Sequence, residues 1–212
     1  GRDKIEEYKI NTLVPRQYGG TLSWLAADGT DEEQTDGIGA TEAIEQLESF
    51  SKTGQNFFLA VGMYRPHTPF VAPKKYFDMY DRKSIEIPYN GSTDKYLKTI
   101  PKIAASSIRW KKDQIKLNLK SNKKLAQEIK EAYFATTTFV DAQIGRILKK
   151  LKQTGLDKNT IVVFISDHGY HLGEHGHWQK QTLFDNSTRV PLIFSGPGIE
   201  SNVRIENSPV EL

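Results

Sequence analysis

The sequence predicts an α/β fold built on parallel strands, and three observations carry that expectation. Residues 160–165 (TIVVFI) form a β-branched and aromatic run without alternation, the pattern of a strand covered on both faces. Residues 56–63 (NFFLAVGM) form a second such run just after a stretch with helical periodicity, which together make half of a βαβ unit. A long amphipathic stretch then leads straight into residue 160, as a crossover connection does. Both apolar runs end in polar, titratable residues, and ligands of open parallel sheets bind at the carboxyl ends of the strands.

Composition narrows the function classes before any motif is considered. A chain of 212 residues can bury one good-sized core. Its net charge of +3, from 29 basic and 26 acidic residues, is too small and too mixed to mark a nucleic-acid surface. Lys111-Lys112 and Lys149-Lys150 read as solvated faces. There is no cysteine, which excludes disulfides, thiolate metal sites and a cysteine nucleophile within this stretch. No apolar run approaches the roughly eighteen residues that a membrane span needs, and the opening GRDK begins neither a signal peptide nor an anchor. Two sequons, at Asn90 and Asn186, would permit glycosylation in a secretory pathway.

Taken in order, residues 1–40 carry Gly19-Gly20, Asp28-Gly29 and the acidic tract 31–33 with few periodic apolar positions, and read as loop with room for one short element. From Thr41 the spacing of Ala43, Ile44, Leu47 and Phe50 predicts a helix, with Gly54 as its stop. The strand over 56–63 follows and runs into Tyr64-Arg65-Pro66-His67-Thr68-Pro69-Phe70. Two prolines fix φ around His67, so the imidazole stands on a stiff loop. Pro73 is placed to start a short helix through Tyr80, with Phe77 and either Tyr80 or Met79 facing inward. Ile85 and Ile87 suggest an edge strand closed by Pro88, and residues 84–120 as a whole read as a surface insertion. Ser121 is a suitable N-cap for a helix with apolar residues every three or four positions as far as Leu151. A break near Thr136-Thr137-Thr138 is compatible with its length, and Gly155 suits the left-handed position at its end. Residues 190–194 (VPLIF) form a third apolar run, ended by Gly196-Pro197-Gly198.

The polar residues after residue 165 carry the chemistry. Asp167 offers hard carboxylate oxygen to a divalent cation, and His168 adds a nitrogen or an orienting hydrogen bond. The oxygen-rich character favours calcium or magnesium over zinc. The plain alternative is that Asp167 caps a turn and His168 merely packs. His171, His175 and His177 resemble zinc spacing, but no H-E-x-x-H helix and no thiolate accompany them, so zinc is the weaker option. Lys180 is a compact positive charge suited to a tetrahedral oxyanion. His67 is the type of group that donates a proton to a leaving oxygen near neutral pH. Most lysines and loop histidines are simply solvated, so neither residue decides the matter alone.

Four stretches together carry a resemblance: FFLAVGMYRPHTPF, EAYFATTTFVDAQIGRIL, TIVVFISDHGYHLGEHGHWQK and TRVPLIFSGPG. In this order and at these separations they resemble the sulfatase family, and within it the iduronate-2-sulfatase-like branch, over about residues 25–212. The fold so implied is that of the alkaline phosphatase superfamily: a mixed, mainly parallel sheet between helices, here incomplete. The resemblance implies calcium ligands at Asp167 and His168, and a magnesium ion is the less favoured occupant. It implies a sulfate-gripping lysine at Lys180. His67 corresponds to the histidine that contacts sulfate and the leaving oxygen, while Glu174 and His175 shape the loop.

One departure qualifies this. Sulfatases attack sulfur with a formylglycine made from Cys or Ser in a C/S-x-P-x-R motif, and neither a cysteine nor a Ser-x-Pro-x-Arg occurs here. The expectation is therefore that residues 1–212 are a partial sulfatase catalytic domain, with formylglycine and further calcium ligands lying outside them. When complete, the enzyme is expected to hydrolyse sulfate esters, sulfated carbohydrates foremost, without nucleic acid or a membrane segment in this stretch. Relatives of this kind are commonly exported. A phosphonate or phosphodiester hydrolase of the same superfamily and a binding protein without a nucleophile are the alternatives.

Overall fold

A computed structural model of the protein describes residues 10–12, 22–88, 93–108, 122–203 and 209–210. Strand β1 (Asn11–Thr12) pairs antiparallel with β2 (Ser23–Ala27). Helix α1 (Thr35–Thr53) carries the chain over to β3 (Phe70–Pro73), which lies parallel to β2 with Trp24 opposite Phe70 and Ala27 opposite Pro73. This βαβ unit uses strands other than the expected one. Residues 56–63 run as irregular, unpaired chain with Phe58 95% exposed, and the place beside β2 is taken by FVAP, whose four residues are all buried. Strand β2 lies inside the stretch expected to be loop. Its five residues, SWLAA, show no alternation, and only the partner strands reveal them as sheet.

The acidic tract 31–33 is a short 3-10 turn rather than open loop. Asp31 is buried there and accepts hydrogen bonds from Tyr76 Oη (2.6 Å) and Gln143 Nε2 (3.1 Å), with Lys75 Nζ at 2.7 Å. Burial pushes the Asp31 carboxyl up, but the hydrogen bonds from Lys75, Tyr76 and Gln143 outweigh it and hold it below the usual carboxylate range. Helix α1 starts six residues earlier than the periodicity indicates and stops at Gly54, which sits at φ +67° as a left-handed cap.

Pro73 precedes α2 (Lys74–Phe77), where Tyr76 and Phe77 turn inward while Met79 stays exposed. The expected edge strand at Ile85 and Ile87 is not formed. A 3-10 turn over Arg82–Ser84 gives way to irregular chain, and Gln127 Nε2 donates to the carbonyls of Ile85 (2.9 Å) and Lys83 (3.3 Å), filling with a side chain the role of a strand partner. Helices α3 (Thr93–Leu97) and α4 (Lys102–Ser107) follow. Residues 89–92 and 109–121, and with them the expected N-cap Ser121 and the sequon asparagine Asn90, lie outside the described residues.

Helix α5 (Lys123–Gln153) is unbroken through Thr136-Thr137-Thr138 and about 46 Å long at 1.5 Å per residue. Thr136 and Thr137 hydroxyls donate back to carbonyls one turn earlier, which satisfies them without opening the helix. Ala126, Ile129, Ala132, Thr136, Phe139 and Gln143 make one buried stripe at helical spacing. The alanines let the helix approach closely, so Trp24, Phe70 and Ala72 from the sheet pack on it together with Tyr76, Phe77 and Trp178. Each fully buried large side chain in this cluster contributes roughly 1.5–3 kcal/mol. Gly155, at φ +74°, turns the chain out of the helix.

Strand β4 (Val162–Ile165) departs most from expectation. It is not a central parallel strand with two covered faces: it pairs antiparallel with β7 (Leu192–Ser195), Phe164 opposite Ile193, and its residues are largely exposed. Among the described residues β7 is its one strand partner. Between them lie β5 (His171–Leu172), β6 (Trp178–Gln179) and α6 (Asp185–Thr188). The molecule is thus α/β with mixed pairing, as the sequence predicts, its parallel pair being β2–β3.

Candidate functional site

The carboxyl end of β4 delivers Ser166, Asp167, His168 and Gly169, and local bonds fix each of them. Ser166 Oγ donates to the His168 carbonyl (2.9 Å), and Gly169 N donates to the Ser187 carbonyl (2.8 Å) in α6. A Cβ on Gly169 would fall 2.1 Å from the Asn186 carbonyl oxygen, so the backbone contact that positions this loop admits only glycine. The chain then turns back through the β5–β6 hairpin, His171 opposite Gln179 and Leu172 opposite Trp178. Trp178, buried in the core, anchors that hairpin, and Glu174 closes its turn by accepting the Leu172 N–H at 2.6 Å.

The consequence is a cluster of three of the four residues the sequence singles out. Lys180 Nζ donates to His168 Nε2 at 2.6 Å, and Asp167 Oδ2 stands 3.4 Å from the same nitrogen. His168 Nδ1 lies 2.8 Å from the Gly169 carbonyl. A carbonyl only accepts, so Nδ1 carries the proton and Nε2 presents a bare lone pair. A ring held in this way is oriented as a metal-ligating imidazole is. The donor set, one nitrogen and one carboxylate oxygen facing a common point, fits part of the shell of a divalent cation. Calcium takes six to eight ligands, and among the described residues no group of three or more His, Cys, Asp or Glu is placed to hold a metal.

His67 is held by contacts of its own. It is exposed, with Nδ1 donating to the Thr68 carbonyl (2.7 Å) and its ring 5.3 Å from that of Tyr64, so Nε2 faces outward. Both prolyl bonds of its loop, Arg65-Pro66 and Thr68-Pro69, are cis. The tie between the two halves is aromatic: Phe70, where the loop enters β3, meets Tyr170, two residues beyond His168, at 6.1 Å. Tyr133 of α5 completes that contact from below.

The histidines with zinc-like spacing do another job. His171 and His177 are buried with ring centres 5.0 Å apart, His171 Nε2 is bonded to Thr182 Oγ1 (2.8 Å), and His175 is stacked between Tyr96 and Phe184. Burial, and then the neighbouring His177 and His175, push the His171 imidazole down to about 4.

Sequence reasoning missed Tyr170 and the bracing of the His67 loop. There Asp36, in the stretch read as loop, accepts the backbone N–H groups of Tyr64 and Arg65. No periodicity or motif signals a contact between residues 29 apart.

The chain is similar to known proteins over much of its length. A protein of Formosa agariphila named sulfatase is 37% identical over 205 residues, covering 92% of this chain and 38% of that protein. Human iduronate 2-sulfatase is 36% identical over 162 residues, covering 74% of this chain and 30% of that protein. Among solved structures, a phosphonate monoester hydrolase from Silicibacter pomeroyi superposes with a TM-score of 0.68 at 27% identity, over 81% of this chain and 34% of that one. The chain therefore spans about a third of the length of the relatives it matches. The family model described as Sulfatase matches residues 2–211, nearly the whole chain, and with these relatives it establishes that the chain belongs to the sulfatase family, with an α/β fold of the alkaline phosphatase type.

Proposed function

We propose that this chain carries the cation- and sulfate-binding part of a calcium-dependent, formylglycine-using sulfatase that hydrolyses sulfate esters, sulfated carbohydrates foremost. The observation that supports it is the grouping of Asp167, His168 and Lys180 around one nitrogen. In this reading Asp167 Oδ2 and His168 Nε2 hold calcium, in preference to magnesium. A bound cation supplies charge stabilisation to the sulfate oxygens. Lys180 gives up its bond to His168 when that nitrogen is used elsewhere, and its ammonium then binds the sulfate. His67, with Nδ1–H kept by Thr68, uses Nε2 to protonate the bridging oxygen as it leaves. The sequence has no Cys and no Ser-x-Pro-x-Arg, so the nucleophile comes from outside these residues. Carbohydrate as substrate rests on the name of iduronate 2-sulfatase, and export from the cytoplasm belongs to the same proposal.

The test is sulfate release by the full-length protein. Asp167→Ala should lower calcium stoichiometry in titration calorimetry, and Lys180→Ala should raise KM for sulfate esters about tenfold or more. The 212-residue chain by itself should show no turnover. Unchanged calcium stoichiometry in Asp167→Ala would show the ligand assignment to be wrong. A second reading, phosphonate or phosphodiester hydrolysis, is favoured by the superposition on the phosphonate monoester hydrolase. Faster turnover of phosphonate monoesters than of sulfate esters would reverse the order.

A further inference from the structure

We infer that Asp36 and Arg65 are positioning residues for His67, holding its imidazole where it can protonate a leaving group. The inference rests on the role proposed for His67. Asp36 is the second residue of α1, only 3% exposed, and its two oxygens accept the backbone N–H groups of Tyr64 (2.6 Å) and Arg65 (2.8 Å). A carboxylate at a helix N-terminus is favoured by the helix dipole, so this end of the loop is tied to a rigid element. Arg65 is 5% exposed and acts as a crossbar. Its Nε donates to the Val71 carbonyl in β3 (2.9 Å), and its Nη1 donates to the carbonyl of His67 itself (3.2 Å). His67 N in turn donates to the Tyr64 carbonyl (3.0 Å). The backbone of His67 is thus held by Tyr64 and Arg65, which are themselves tied to α1 and to β3, while its side chain is exposed.

Burying an arginine in a loop is costly, and burial pushes this guanidinium down to about 10. A loop that only needed closing could use backbone bonds alone. What the guanidinium adds is a fixed distance between the entry of the loop, the His67 carbonyl and the first residues of β3. In the reaction the oxygen of the nucleophile, supplied from outside these residues, bonds to sulfur as the S–O bond to the leaving group breaks, while the Nε2–H of the imidazolium passes to the bridging oxygen, which keeps the bond pair. The leaving group departs as a neutral alcohol and His67 is left neutral, Nδ1–H still on the Thr68 carbonyl. A general acid contributes most where the leaving group is basic, and its contribution falls steeply with misplacement.

The experiment compares phenyl sulfate with 4-nitrophenyl sulfate in the full-length protein, using Arg65→Met, His67→Ala and the double variant. Arg65→Met should lower kcat on phenyl sulfate about tenfold or more and on 4-nitrophenyl sulfate less than about threefold, with KM little changed. In the His67→Ala background the same substitution should cost less than about twofold further, because Arg65 acts through His67. Arg65→Lys, which keeps one donor, should restore part of the loss. If Arg65→Met does not fold, Asp36→Asn supplies the same comparison with a smaller expected difference between the two esters. A parent that cleaves both esters while the variants lose activity equally on each, or lose it additively with His67→Ala, overturns the inference alone. A parent that releases sulfate from neither ester nor from a sulfated carbohydrate overturns the sulfatase reading and this inference with it.

Discussion

Lys180 is held between two non-glycine residues in the left-handed region, Gln179 at φ +106° and Gln181 at φ +46°. Such backbone costs about 1–3 kcal/mol and is retained where surrounding structure enforces it. Gln179 Nε2 is also buried without a hydrogen-bond partner among the described residues. Both features make Gln179→Gly stabilising, by roughly 1 kcal/mol after the entropic cost of glycine, whereas Gln179→Val should destabilise by roughly 2 kcal/mol. Urea denaturation of the two variants checks the opposite signs. His171 sets a pH dependence of its own. Its folded value, pushed down to about 4 by burial and by His177 and His175, lies below the value of about 6.5 in an unfolded chain. The unfolded state therefore takes up the proton first. Stability is whole above pH 6.5 and falls as pH drops toward 4, by an amount on the order of 3 kcal/mol. His171→Gln, which keeps a donor for Thr182, should flatten that part of the profile in denaturation measured between pH 7 and 4.

At the scale of elements, the β5–β6 hairpin is what returns the chain from His168 to Lys180, and the described part of the 84–120 stretch holds it. Tyr96 of α3 stacks on His175 (4.9 Å), which stacks on Phe184 (4.5 Å), and Ser107 Oγ of α4 accepts the Leu183 N–H (3.1 Å). The described part of that stretch is thus a brace on the Lys180 loop. An aromatic pair contributes about 0.5–1.5 kcal/mol, so Tyr96→Ala should speed amide hydrogen exchange over residues 173–184 about three- to tenfold and leave α5 unchanged. Equal acceleration in α5 would mean that the brace is not local. The same elements show what a sequence makes legible. Helices α1 and α5 are long enough for their period to be read, and Gly54 and Gly155 stop or turn the chain where left-handed backbone demands glycine. Strands β2 and β3 are not legible, because five and four residues carry no period and FVAP ends in a proline that reads as the start of a helix. Asp167 and His168 are legible because they adjoin. Lys180 is found by family resemblance, and the Asp36 brace, across 29 residues, leaves no local mark.

The whole molecule divides its apolar residues unequally. One set is buried around α5, from Leu22 to Trp178. The other, Ile161, Val163, Phe164, Ile165, Leu192, Ile193 and Phe194, lies on the β4–β7 ribbon with between 39% and 56% of each residue exposed. That is why the sequence misleads at β4: an unbroken apolar run specifies that two faces should be covered, but covering depends on partners the run does not encode. An exposed apolar surface on a strand pair whose outer edges are unpaired among the described residues is a site for self-association and dye binding. The 212-residue chain should therefore enhance the fluorescence of an apolar-surface dye severalfold and sediment as concentration-dependent oligomers. Phe164 and Ile193 stand directly opposite in the ladder, so Phe164→Lys combined with Ile193→Glu places opposite charges across the pair and keeps the ribbon. This double variant changes one face only, with Val163, Ile165, Leu192 and Phe194 left on the other, so it should associate more weakly than the parent at the same concentrations and lose part of the dye signal. Its melting temperature should stay within about 3 °C of the parent, since neither side chain belongs to the core around α5. A parent chain that is monomeric and silent to the dye, or a double variant that associates as strongly as the parent, would show that the ribbon is not the surface through which the molecules meet.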